Sequence, residues 1–100
     1  MEKAEKKRLR NQYRQEQRLA AFDALPLPLD QLNAMFDMLD LMLREKGCDH
    51  TRRFTQTWLT ERRHNLVAVF GWLDTVNGYC DCQVRTNVKQ HVEEAAKAGA

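Results

Sequence analysis

The chain is 100 residues long, 43% hydrophobic and 30% charged, with a formal net charge of +2 and a mean hydropathy of −0.67. That is one domain's worth of chain with a small core to bury. No apolar run approaches the ~20 residues that cross a bilayer. The charged N-terminus lacks a signal peptide's hydrophobic stretch, and three cysteines cannot complete a disulfide framework, so a cytoplasmic protein with reduced thiols is expected.

From Glu2 to about Leu25 there is no glycine or proline, and strong helix formers dominate. Lys3, Lys6, Lys7, Arg8, Arg10, Arg14 and Arg18 outnumber Glu2, Glu5 and Glu16 in the first 20 residues, so this helix is basic and the remainder is mildly acidic. Leu25-Pro26-Leu27-Pro28-Leu29 stops it, because each proline restricts the residue before it and donates no backbone hydrogen bond. Residues 1–24 therefore read as a basic N-terminal helix, and residues 25–100 as a helical domain, within a single domain overall.

Asp30 is placed to cap the next helix. Leu32, Met35, Phe36, Leu39, Met42 and Leu43 then recur at three- and four-residue steps, which predicts an amphipathic helix ending at Gly47. Its methionines read as core, with an adaptable binding groove as the other reading. Phe54, Trp58 and Leu59 share a face of a helix from about Thr51 to Arg63, and His64-Asn65 makes the break, with His64 expected in solvent. Leu66, Val69, Phe70, Leu73 and Val76 fit a helix ending at Asn77-Gly78, although the β-branched content would also suit a buried strand. Helix is preferred because no partner strand is visible; Gly71 costs that choice about 1 kcal/mol unless it lets another element approach closely. Val84, Val88, His91, Val92 and Ala95 mark a last helix to about Lys97. His91 reads as a core histidine. The expected fold is all-α, a bundle of about five helices.

Two short stretches carry the chemistry. Gly47-Cys48-Asp49-His50-Thr51 and Gly78-Tyr79-Cys80-Asp81-Cys82-Gln83 each place a soft ligand, an aspartate and a second soft ligand after a glycine that can end a helix. Residues two apart on an α-helix point about 200° apart, so both pairs must lie in turns or at helix starts. Cys48, His50, Cys80 and Cys82 then make the donor set of one structural zinc ion joining two helix N-termini. Asp49, Thr51 and Asp81 are candidate helix caps or supports for the ligands. Sulfur and imidazole suit zinc better than magnesium or calcium, with iron kept as the less expected metal. Two alternatives stay open: reduced cysteines packed as small apolar groups, and a strained Cys80 to Cys82 disulfide, alone or exchanging with metal.

The run Cys48-Asp49-His50-Thr51 with Arg53-Phe54-Thr55, then Val69 to Leu73, Gly78-Tyr79-Cys80-Asp81-Cys82 and Val84 to Val88, resembles the small bacterial family known as domain of unknown function 2695. The similarity extends upstream through the Leu25 to Asp30 elbow to the basic helix. The family's characteristic residues fall on Cys48, Asp49, His50, Cys80, Asp81 and Cys82. Gly71 and Asn77 depart from its pattern at positions of packing. The resemblance implies a bacterial, cytosolic protein and supplies no activity.

Four protein ligands leave zinc no open position for water or substrate. The sequence has no HExxH, phosphate-binding glycine loop, nucleophile elbow or deaminase signature. A non-enzymatic binder is therefore expected. The preferred partner is another protein, which the chain would bind and could inhibit as an immunity protein blocks a bacterial toxin or effector. The alternative is nucleic acid, gripped by Arg10, Arg14, Arg52, Arg53, Arg62 and Arg63 with Trp58 or Tyr79 stacking on bases.

Overall fold

A computed structural model describes residues 22–99. The basic helix expected over residues 1–24, with Arg10 and Arg14, lies almost wholly outside them. Helical backbone at Phe22 and Asp23 gives way to a turn at Ala24, where the first proline was expected to stop it. Four helices follow among the described residues: α1, Leu29–Lys46; α2, Arg53–Glu61; α3, Leu66–Thr75; and α4, in which Asp81–Gln83, a π-helical turn Val84–Val88 and Lys89–Gly99 run on without a break. No strand occurs among the described residues, so the ambiguous stretch after Asn65 is helix.

The elbow folds inward, burying Leu27. Helix α1 starts one residue before Asp30, on Pro28, whose carbonyl accepts from Gln31 and Leu32 N–H. Asp30 thus sits in the first turn, where its charge favours the helix dipole, and it is not the cap. The far end is as expected: Gly47, at φ 71° and ψ 178°, donates its N–H to the Leu43 carbonyl, a conformation essentially confined to glycine that costs other residues about 1–3 kcal/mol.

Leu32, Met35, Phe36 and Leu39 of α1 form the centre of the core, against Trp58 and Leu59 of α2, Val69 and Leu73 of α3, and Val84, Val88 and Val92 of α4. Arg85 ties α4 to α1 by donating to the Asp40 carboxylate at 2.9 Å. Helix α2 is shorter at both ends than its apolar spacing predicts. It closes with the His64 N–H on the Leu59 carbonyl and the Arg63 N–H on that of Thr60, which puts Arg63 at φ 58°. His64 is correspondingly not in open solvent: it stacks on Trp58, ring centroids 5.8 Å apart, with a buried Nε2.

Gly71 has nothing within 4 Å of where a Cβ would stand, so it serves no close approach. Gly71→Ala is expected to stabilise the protein by about 0.5–1 kcal/mol. The check is the urea midpoint, which should rise with the slope unchanged.

Candidate metal centre

The first cysteine stretch lies in the loop that feeds α2, and the second runs from the loop before α4 into its first turn, where Cys82 stands. Backbone and side-chain hydrogen bonds knit them together. The Asp81 N–H donates to the Thr51 carbonyl at 2.9 Å, and Arg52 Nε donates to the Gly78 carbonyl at 2.7 Å. The Asp81 carboxylate is fully buried. It accepts from the Phe54 N–H at 3.0 Å, the Thr55 N–H at 3.0 Å and the Thr55 hydroxyl at 2.8 Å. The sequence placed Asp81 as the cap of its own helix; instead it caps α2, the helix after the other cluster. The reason is local: Arg52, at the N-cap of α2, offers no side-chain acceptor, and the free N–H groups need one.

Asp49 serves its own loop. Its carboxylate accepts from the Thr51 N–H at 3.0 Å and hydroxyl at 2.5 Å, and pairs with Arg53 at 3.5 Å. These contacts, the Thr51 hydroxyl above all, hold its carboxyl below the usual range. Thr51 Oγ1 in turn accepts from the Arg53 N–H at 3.3 Å.

The result is a sulfur triad. The Sγ atoms of Cys48, Cys80 and Cys82 all lie within 4.8 Å of one another, and those of Cys80 and Cys82 are 3.8 Å apart. Two sulfurs on a tetrahedral zinc at about 2.3 Å bond length stand ~3.8 Å apart. All three cysteines are free thiols, at a separation too long for an S–S bond. The structure does not bring His50 into this group. His50 is exposed, at φ 68°, and its contribution is the backbone N–H it donates to Cys48 Sγ at 3.4 Å.

The thiols do not share charge evenly. Burial pushes the Cys48 thiol up, but the N–H groups of Cys82 and His50 and the two neighbouring thiols outweigh it and hold Cys48 below its ordinary value. Cys82 is pushed up to about 11 by its hydrogen bond with Cys80, by burial and by Cys48. Like charges this close cannot all form unaided; a bound cation would let the three thiolates coexist, releasing protons as it binds.

The arginines expected to meet a partner are mostly occupied. Arg52 bonds Gly78 and Asp74 and lies over the Phe70 ring, 4.9 Å from its centroid. Arg53 donates to the Gly47 carbonyl at 3.2 Å and covers Phe54. Arg62 lies over Trp58, 4.1 Å from the ring centroid; Arg63 is exposed at the helix end. Trp58 is only 4% exposed, so its ring is not free to stack on a base. Tyr79 is 56% exposed and its hydroxyl donates to the Asp74 carbonyl at 3.1 Å. His91 packs edge-on to Trp72, centroids 6.2 Å apart.

Sequence reasoning missed Thr55 as the partner of Asp81. The signal was there: Thr55 lies three and four residues before Trp58 and Leu59, on the buried face, where a hydroxyl needs an acceptor.

Residues 35–87 match the family described as "Protein of unknown function (DUF2695)". The chain is 35% identical over 88 residues to the uncharacterized protein Rv2271 of Mycobacterium tuberculosis, covering 88% of this chain and 89% of the relative. The uncharacterized protein Mb2294 of Mycobacterium bovis matches with the same identity and coverage. No solved structure matches significantly.

Proposed function

From the premise that this chain belongs to the DUF2695 family, which brings no activity with it, we propose a non-enzymatic, zinc-stapled interaction protein of the cytoplasm. It binds a partner protein, in the manner of an immunity protein that blocks a bacterial toxin. The observation that carries the metal part is the convergence of Cys48, Cys80 and Cys82 from two loops to within 4.8 Å. His50, exposed and two residues from Cys48, supplies the fourth ligand by turning its imidazole inward. Four protein ligands close the coordination sphere, so the ion is a staple and not a catalyst.

The partner part draws on the surface between α1 and α2. Met38, Met42, Phe54, Thr57, Trp58 and Glu61 line an open groove of about 380 Å³, and methionine-lined apolar surfaces adapt to protein ligands. Leu41 stands 59% exposed on α1. The nucleic-acid reading loses support because Arg52 is spent inside the fold and Trp58 is buried.

A pull-down from the native bacterium with the zinc-loaded chain is expected to recover one protein in stoichiometric amount. Met42→Glu, which puts a charge into the groove, should weaken that capture about tenfold or more. Recovery of no stoichiometric protein, together with nucleic-acid binding that falls steeply with salt, would overturn this reading in favour of the second.

A further inference from the structure

We propose that Asp81 is a positioning residue that couples metal occupancy at the three sulfurs to helix α2, and through α2 to the groove that Phe54 and Trp58 line. The inference rests on the reading that Cys48, Cys80 and Cys82 hold a metal ion. Asp81 stands between two of those cysteines in the chain, so its backbone follows any shift of theirs; neighbouring Cα atoms are held about 3.8 Å apart. Its side chain reaches the other loop. One carboxylate oxygen takes the Phe54 N–H, and the other takes the Thr55 N–H and hydroxyl, while its own N–H holds the Thr51 carbonyl.

Both oxygens are therefore committed to the first turn of α2, at zero exposure. A carboxylate on helix N-terminal N–H groups is a charge-assisted contact, roughly twice as strong as a neutral one. No side chain of the N-cap residue of α2 duplicates it. A tetrahedral zinc holds its sulfurs ~3.8 Å apart, the separation Cys80 and Cys82 already have, and all three lie within 4.8 Å of one another. A bound ion thus restrains the chain on both sides of Asp81, and Asp81 carries that restraint to the amides of Phe54 and Thr55. Phe54 and Trp58, one turn apart on α2, both face the groove.

The test titrates zinc into the full chain against a competing chelator, and follows hydrogen exchange at the Phe54 and Thr55 amides with and without zinc. In the wild type, zinc should slow that exchange by about tenfold. Asp81→Asn should bind zinc about 10- to 100-fold more weakly and lose the zinc-dependent protection. Thr55→Val, which removes one of the three bonds and keeps the shape, should fall between them, and it decides the matter if Asp81→Asn does not fold. Variants with wild-type zinc affinity and wild-type zinc-dependent protection would overturn the coupling while leaving the metal site standing. A wild-type chain that binds no zinc would overturn both.

Discussion

Stripping zinc from the loaded protein with a chelator is expected to lower its melting temperature by roughly 15–30 °C. A ligand that binds only the folded state stabilises it by about 4 kcal/mol when its free concentration is a thousand times its dissociation constant, and each kcal/mol shifts the midpoint of a domain this size by roughly 4–8 °C. The metal-free chain should still fold, because what holds the two loops is not the ion alone. The buried Asp81 carboxylate, the Arg52 bond to Gly78 and the core around Leu32, Phe36 and Leu39 need no atom of the ion. Cys80→Ser removes the buried member of the sulfur triad, and its melting temperature should no longer respond to chelator. Calorimetry of both proteins with and without chelator makes the comparison; a wild-type midpoint that does not move would count against a structural ion.

Gly78→Ala is expected to destabilise the protein by about 1–3 kcal/mol, the cost of forcing extra volume into a packed core. A Cβ there would meet Val88 Cγ2 at 2.6 Å, with Leu73 Cδ2 and Val84 Cγ2 each at 3.3 Å. The valines belong to the π-helical turn of α4 and are fully buried, so they have little room to yield. Gly78 also donates its N–H to the Leu73 carbonyl, with Asn77 before it at φ 63°, so the closing turn of α3 and the loop before Cys80 rest on the same residue. A shifted Gly78 would loosen the carbonyl that Arg52 holds. Paired denaturant curves for Gly78→Ala and Gly71→Ala separate the two glycines: the first midpoint should fall and the second should rise. Equal effects would contradict the packing described.

What could be read in the sequence followed the strength of its periodicity. Leu32, Met35, Phe36 and Leu39 announce α1, and all four are buried. The two cysteine stretches announced themselves by chemistry, and three of their four candidate ligands converge. His50 could not be placed from spacing, because its left-handed backbone at φ 68° depends on the turn that Asp49 and Thr51 build. The π turn had a signal that went unread. Cys80, Val84, Val88 and Val92 recur at strict four-residue steps, which drift about 40° per step around an α-helix; an underwound turn keeps them on one face. No pattern in the chain tells that Asp81 reaches across to α2 and Arg52 to Gly78. Both contacts join residues more than 25 positions apart, and only the packed helices bring them together.

Sulfurs from the two cysteine stretches are expected to close around one zinc ion. X-ray absorption at the zinc edge, with metal analysis, on protein purified without chelator tests it most directly. About one zinc per chain, bound by three sulfurs and one nitrogen at the distances of a tetrahedral site, is the predicted result. Protein that carries no zinc, or zinc with no sulfur in its coordination sphere, would contradict it.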